Sequence, residues 1–140
     1  MNQIAKALPK KIKYEFVKFD NEDNKYFVNL SNVLDPFSDC VQLQLVYTTG
    51  NECYLTDAGD TINIVEEMGF DQDMRKRVHR QIIKNHVFAI HCDRSGEIYC
   101  HTEKKHLHKA IKNMVKLIYG VYFQAETEFQ RNLDRRADVK

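Results

Sequence analysis

The residues most capable of chemistry are histidines and cysteines gathered in the second half of the chain. Six of them fall within 18 residues: His91, Cys92, Cys100, His101, His106 and His108. Imidazole and thiolate groups are the usual ligands of zinc. Their spacing contains no Cys-x-x-Cys or His-x-x-x-His pair, and neighbours along a strand point to opposite faces. The pattern favours buried cysteines and exposed histidines over a zinc site, and no cofactor is expected.

Four aspartates stand where strands are predicted to end: Asp35, Asp39, Asp57 and Asp60. Carboxylates that converge from such loops bind Mg²⁺ in many phosphodiester-cleaving enzymes. Nucleases of the Asp…Glu-x-Lys type add a lysine, but Tyr54 stands at that position here. We favour structural roles, in which Asp60 caps a helix, Asp57 braces the turn before it, and the other two shape a turn around Pro36. A Mg²⁺-dependent nuclease is kept as a distant alternative.

Serine and cysteine nucleophiles have no suitable setting in this sequence. Ser38 and Ser95 lie in predicted turns outside any Gly-x-Ser-x-Gly motif. Cys92 and Cys100 are expected to be buried, which makes a thiol unreactive. The sequence therefore predicts no catalytic residues, and no glycine-rich loop of the phosphate-binding type is present.

The net charge of +1 conceals a separation of charge along the chain. Residues 14–74 contain thirteen Asp and Glu against two Lys, whereas residues 75–116 contain eleven Lys and Arg against three acids. The candidate surface for a protein partner or nucleic acid consists of Arg75, Arg77, Arg80, Lys84, Lys105, Lys109, Lys112 and Lys116. A positive surface attracts nucleic acid or an acidic protein. The alternative is a solvated face that docks near the acidic half of the same molecule.

The elements that must position these residues follow from hydrophobic periodicity. Alternation and turn signals predict strands over 14–19, 26–30, 41–47 and 53–55, helices over 62–68 and 72–84, a hairpin over 87–102, and a long helix after it. Asp60 or Thr61, Asp71 and Thr102 are expected to cap the three helices, and Gly69 to end the first. The fold class is α+β: an antiparallel sheet built from hairpins with about three helices, in the order ββ-ββ-αα-ββ-α.

The loop of the third hairpin can be derived from the residues that must share a face. A three-residue loop, Arg94-Ser95-Gly96, pairs Asp93 with Glu97 and Cys92 with Ile98 when Gly96 adopts a left-handed conformation. The isoleucines and cysteines then form one apolar face, and His91, Tyr99 and His101 form the other. A two-residue loop would mix the two sets, so the three-residue loop is favoured.

Length and composition set the outer limits of the interpretation. A chain of 140 residues with 43% apolar content is the size of one domain, so we expect residues 1–140 to form a single domain with a core over roughly 14–122 and a frayed tail from about Asn132. No signal peptide and no run of some 18 apolar residues is present, so a cytoplasmic protein without a membrane segment is expected. The four cysteines are expected to be free thiols.

A series of motifs runs through the middle of the chain. It joins residues 35–43 to a Leu-Thr-Asp-x-Gly-x-Thr turn that contains Leu55, Thr56, Asp57, Gly59, Asp60 and Thr61. A helix ending at Gly69, a basic helix over 75–84 and the run Gly96-Glu97-Ile98-Tyr99 follow. This series resembles a family of small bacterial and prophage proteins of unknown function, over roughly residues 14–122, although the family often carries His or Arg near Cys40. The resemblance implies no catalytic residues, and it suggests a phage or mobile-element setting, in which small proteins commonly bind host proteins.

Two function classes follow as hypotheses. The first is a non-enzymatic interaction protein of bacterial or prophage origin that binds and modulates a host protein. The second is a nucleic-acid-binding protein that uses the basic helices. A homodimer that pairs acidic with basic faces is compatible with the same separation of charge.

Overall fold

The structure is a computed structural model that describes residues 8–69, 72–84 and 90–138. Its elements follow the predicted order and form an α+β fold. The strands are β1 (Tyr14–Lys18), β2 (Lys25–Leu34), β3 (Cys40–Tyr47), β4 (Glu52–Thr56), β5 (His91–Cys92) and β6 (Ile98–Glu103). The helices are α1 (Asp60–Glu67), α2 (Gln72–Lys84) and α3 (Leu107–Asp138). No helix in this part of the chain is long and apolar enough to cross a membrane.

The six strands form one antiparallel sheet in the order β1-β2-β3-β4-β6-β5. The first four are neighbours in both sequence and space. The predicted turn around Pro36 closes the β2–β3 hairpin, where the Asp35 N–H donates to the carbonyl of Asp39 at 2.8 Å. The strand β6 then pairs with β4, although two helices lie between them in sequence. This pairing brings the third hairpin beside the Leu-Thr-Asp-x-Gly-x-Thr turn of residues 55–61, which we call the signature turn.

The sheet has one buried face, and no element among the described residues covers its other face, which we call the open face. Strand residues on the buried face are almost inaccessible to solvent and form a single core with the helices: Val28, Leu30, Leu43, Leu45, Cys53, Leu55, Ile98 and Cys100. The neighbouring positions along the same strands alternate to the other face and are partly or fully exposed, as at Gln42, Gln44, Tyr99 and His101. This alternation is typical of an antiparallel sheet that is covered on one side.

The predicted geometry of the third hairpin is confirmed. Cys92 pairs with Ile98, and Gly96 has a φ of 95°. The Asp93 N–H donates to the Glu97 carbonyl at 3.1 Å, which closes the three-residue loop. The described part of this hairpin begins at Ile90, so the predicted beginning at Val87 lies outside the described residues.

The helix α1 differs from the prediction at its first residue. The N-cap is Gly59, which makes no side-chain cap, and the carboxylate of Asp57 receives the N–H groups of Gly59 and Thr61 instead. The expected capping role of Asp60 or Thr61 is therefore wrong, because the carboxylate of Asp57, two residues before the N-cap, accepts from these donors. The end at Gly69 is confirmed by its φ of 96°.

The other two helices agree with the predicted periodicity, and α2 spans the predicted residues Gln72–Lys84, but α3 does not begin at its predicted cap. The apolar stripe of α2, Met74, Val78 and Ile82, is buried as expected, whereas its predicted cap, Asp71, lies outside the described residues. Thr102 does not cap α3, because β6 continues to Glu103 and a 3-10 turn over Lys104–His106 precedes the helix. The tail that is predicted to fray lies within α3, which continues through Asn132 to Asp138, and its fraying stays a prediction.

Candidate functional site

The signature turn is organised around the buried carboxylate of Asp57, which is 1% exposed. One of its oxygens, Oδ1, accepts hydrogen bonds from the N–H of Gly59 at 2.8 Å and from the N–H of Ile98 at 2.9 Å. The other oxygen, Oδ2, accepts from the N–H of Thr61 at 3.3 Å. Burial raises the pKa of this carboxyl, while its hydrogen bonds act in the opposite direction. Asp57 thus joins the turn, the start of α1 and strand β6, as its predicted bracing role requires.

A second polar contact joins the turn to the third hairpin. The hydroxyls of Thr56 and Tyr54 both bond to Glu97 Oε2, the latter at 2.7 Å. Thr56 Oγ1 also accepts from the N–H of Ala58 at 2.9 Å. Leu55, between the two hydroxyl residues, is fully buried in the core. The signature residues are therefore occupied in holding the turn against β6.

An acidic cavity of about 390 Å³ lies beside this turn. Its lining includes Asp35, Asp57, Asp60 and Glu67, together with Tyr122. The pKa of Asp60 is raised, first by partial burial and then by the nearby charge of Asp35. Three of the four predicted aspartates thus meet at one cavity, and Asp39 does not line it.

Neither this cavity nor the histidine and cysteine cluster has metal-ligand geometry. Within residues 8–69, 72–84 and 90–138, no three His, Cys, Asp or Glu side chains are placed to hold one metal ion. Cys100 is buried and Cys92 is half-buried, while His91 and His101 are exposed on the opposite face. The four cysteines are free thiols, as predicted.

The arginines of the predicted basic surface are partly occupied by acids of the same chain. Arg75 bonds to Glu66 at 2.8 Å, and Arg77 bonds to Glu128 at 2.7 Å. Arg80 and Lys84 are exposed on α2.

The lysines of the predicted surface lie on the first half of α3 and on the turn before it. Lys105 pairs with Glu103 at 3.3 Å, Lys109 and Lys116 are exposed, and Lys112 is half-buried. Arg77 contacts Glu128, which lies twelve residues beyond Lys116 on α3. Arg77 and Lys116 are therefore separated by roughly 18 Å along the axis of α3. The structure therefore brings the α3 lysines together and places Arg77 beside the far half of the helix.

The open face of the sheet carries a cluster of four aromatic rings, which we call the ring cluster: Tyr54, His91, Tyr99 and His101. Tyr54 lies opposite His101 across the β4–β6 pair, with ring centroids 5.1 Å apart. His91 lies opposite Tyr99 across the β5–β6 pair, with ring centroids 5.5 Å apart. The two tyrosines are 5.6 Å apart and connect the two pairs. The histidines are exposed and the tyrosines are half-buried.

Carboxylates surround the ring cluster. Glu97 bonds to Tyr54 at one side, and Glu52 lies directly opposite Glu103 at the end of the β4–β6 pair. Burial raises the pKa of the Tyr54 hydroxyl above its ordinary value of 10.0, and the contact with Glu97 is the smaller cause of this increase. The tyrosine is thus a neutral hydrogen-bond donor at physiological pH.

Sequence reasoning placed Tyr99 and the two histidines on one face, but it missed the contributions of Tyr54 and Glu97. Alternation within β4 puts Tyr54 on the face opposite Leu55, so the sequence pattern indicated which face Tyr54 occupies. The contact itself depends on the pairing of β4 with β6, and no local pattern specifies a pairing across two helices.

Together these features define a small α+β protein whose antiparallel sheet, in the part of the chain that the structure describes, is covered by helices on one face and open on the other. The chain belongs to the family described as domain of unknown function DUF1828, which matches residues 31–121. The predicted resemblance to a family of unknown function is thereby confirmed. No curated protein and no solved structure matches the chain.

Proposed function

We propose that this chain is a non-enzymatic interaction protein that binds another protein through the open face of its sheet. The observation that carries the proposal is the ring cluster, in which two tyrosines and two histidines lie within contact distance on a face that no described element covers. Tyrosine is enriched at protein interfaces because it combines a large apolar ring with a hydrogen-bonding hydroxyl. In the setting that the family resemblance suggests, the partner is a host protein inside a bacterial cell.

The charge around the ring cluster favours a protein partner over nucleic acid. Glu52, Glu97 and Glu103 lie beside the four rings, and Lys105 is paired with Glu103. Stacked rings bind bases in many nucleic-acid-binding proteins, but those sites also supply cations for the phosphates. A polypeptide with basic or polar side chains fits this combination of rings and carboxylates better.

The polar groups of the signature turn support a structural role over a catalytic one. Both oxygens of Asp57 and the hydroxyl of Thr56 are occupied by hydrogen bonds within the chain. A general base needs a free acceptor within reach of a substrate proton. This arrangement is expected of a turn that fixes the β4–β6 pair beneath the ring cluster.

The test compares two double variants of the purified protein. Tyr99→Ala/His101→Ala removes half of the ring cluster, and Lys109→Ala/Lys116→Ala, the matched control, removes two exposed residues of α3. A partner captured from host lysate and then purified should lose at least about tenfold in affinity for the ring-cluster variant, and should bind the lysine variant like the wild type. Equal binding of all three proteins in isothermal calorimetry would exclude the open face.

The second candidate function, nucleic-acid binding through the lysines on the first half of α3, is tested with the same proteins. It predicts that DNA or RNA binds the wild type with an affinity that falls steeply with salt, and that the lysine variant loses this binding. That result would replace the proposal of a protein partner. Cleavage of the nucleic acid in the presence of Mg²⁺ would contradict the non-enzymatic part of the proposal.

A further inference from the structure

The outer edge of strand β1 is open and partly apolar. Among the described residues β1 has a neighbouring strand, β2, on one side only. Phe16 is 44% exposed and Val17 is 42% exposed. β1 pairs with β2 in regular register and contains no proline, so it lacks two of the devices, a bulge and a proline, with which natural proteins protect an edge, although it is short and carries Glu15 and Lys18. We propose that this edge is a dimerisation site, at which β1 pairs with β1 of a second copy of the chain in an antiparallel, two-fold arrangement.

The backbone of β1 shows which groups are available for this pairing. The Lys13 carbonyl accepts from the Ser31 N–H, and the Phe19 N–H donates to the Lys25 carbonyl, so both residues face β2. Residues along an antiparallel strand alternate between facing one neighbour and facing the other. The N–H and carbonyl groups of Tyr14, Phe16 and Lys18 therefore point outward from the sheet.

A single register satisfies all of these outward groups. With Phe16 on the two-fold axis, Phe16 lies opposite its own counterpart, and Tyr14 lies opposite Lys18 of the second copy. Every outward N–H and carbonyl of the strand then meets an outward partner. A shift by one residue would bring opposite faces of the two sheets together, and a shift by two would leave outward groups at the strand ends unpaired. The strand is therefore complementary to itself.

The side chains support the same register. The exposed ring of Phe16 lies on its counterpart, Tyr14 lies beside Lys18 of the second copy, and Glu15 lies opposite Val17 of the second copy. No like charges are directly opposed, and aromatic and cation-ring pairs across strands are favourable. Both of the large apolar side chains exposed on this strand become covered.

Charges beyond the strand favour a second copy as the occupant. The segment before β1 contains Lys10, Lys11 and Lys13, and the turn after it contains Asp20, Glu22 and Asp23. Within one copy, Asp23 pairs with Lys18 at 3.0 Å and Glu22 pairs with Lys25 at 3.2 Å, so Asp20 is the acid of this turn that makes no ion pair with a described residue. In the antiparallel arrangement the basic segment of each copy lies beside the acidic turn of the other. The net charge of +1 adds little repulsion between two copies.

The first test is a dilution series of the wild-type protein by analytical ultracentrifugation, with two lysine variants. Phe16→Lys opposes two cations on the axis and should raise the dimer dissociation constant by about tenfold or more. Phe123→Lys is the matched control, because Phe123 is 50% exposed on α3, and it should leave the constant unchanged. A wild type that stays monomeric throughout, or a dimer that Phe16→Lys does not weaken, would overturn the proposal. Loss of a foreign partner on Phe16→Lys with a monomeric wild type would assign the edge to another chain instead.

The second test fixes the register by disulfide formation in a Cys40→Ser background, which removes the exposed native thiol. Phe16→Cys should form a covalent dimer, because directly paired Cα atoms lie about 5.5 Å apart, within the range of a disulfide. Lys18→Cys, the control, should not, because its counterpart is displaced by four residues, about 13 Å along the strand. Equal cross-linking of the two variants, or none of Phe16→Cys, would exclude this register. Tyr99→Ala/His101→Ala should not change dimerisation, so failure of the dimer and failure of the proposed function are distinguishable.

Discussion

At the scale of single residues, Asp57 joins two parts of the chain that are distant in sequence through its buried carboxylate. It is 1% exposed, and three backbone N–H groups donate to its carboxylate. One of these donors, Ile98, is distant in sequence, so the carboxylate fixes the third hairpin as well as its own turn. Removing the Asp57 carboxylate would leave buried N–H groups without acceptors. This lowers the free energy of unfolding by more than the loss of the hydrogen bonds alone.

We therefore expect Asp57→Ala to lower the free energy of unfolding by roughly 3–5 kcal/mol, because each unsatisfied buried donor costs about 1–3 kcal/mol. Asp57→Asn keeps one acceptor oxygen and should cost about half as much. Urea denaturation of the three proteins, followed by circular dichroism, measures both values. An alanine variant as stable as the wild type would show that the turn holds without this carboxylate.

The difference in stability between the wild type and Asp57→Asn should depend on pH with a defined sign. Burial raises the pKa of Asp57 above its ordinary value of 3.8, so the folded protein holds this proton more tightly than the unfolded chain. The contribution of this carboxyl to stability is then largest below 3.8 and falls as the pH rises through the folded pKa. The stability advantage of the wild type over Asp57→Asn should therefore be larger at acid pH than at neutral pH.

At the scale of elements, the loop between β5 and β6 packs against α1 through Gly96. Gly96 has a φ of 95°, and a Cβ atom added to it would lie 2.6 Å from Cγ2 of Ile62. Gly50 also has a positive φ, of 61°, but a Cβ atom there would meet nothing within 4 Å. These two glycines thus separate the cost of backbone conformation from the cost of a steric clash.

Gly96→Ala should therefore destabilise the protein by about 3 kcal/mol or more, since the buried side chain of Ile62 must move in addition to the backbone strain. Gly50→Ala should cost only about 1 kcal/mol, the strain of a left-handed alanine. Thermal and urea denaturation of both variants check the difference. Equal losses would mean that the loop shifts away from α1 freely.

Element types were easier to predict than element ends. The strict alternation of β3 and the stripe of α2 identified both elements, and the face-sharing argument gave the loop of the third hairpin. Thr102 failed as a cap because a threonine in an extended strand and a threonine before a helix look alike in sequence.

At the scale of the whole molecule, the missing information concerned long-range pairing. The β4–β6 pair joins strands separated by two helices, and it creates both the bracing bond from Ile98 to Asp57 and the ring cluster. Local patterns identified Asp57, Tyr99 and His101 as residues of interest, but not that they share one structural unit. The separation of charge likewise predicted a basic surface without showing that Arg75 and Arg77 pair with Glu66 and Glu128.

The same long-range packing predicts that the segment shared with the family does not fold alone. Residues 31–121 exclude five buried core residues, with exposures of 0–6%: Ile12, Val28, Leu30, Tyr122 and Ala125. Truncating one buried leucine costs about 2–5 kcal/mol, so losing all five would cost on the order of 10–25 kcal/mol, which is as large as or larger than the roughly 5–15 kcal/mol that stabilises a typical domain. A fragment of residues 31–121 should show no cooperative thermal transition by circular dichroism, whereas residues 8–131, the control, should melt close to the full chain. A cooperative transition in the shorter fragment would show that β1 and most of β2 are additions to a self-sufficient core.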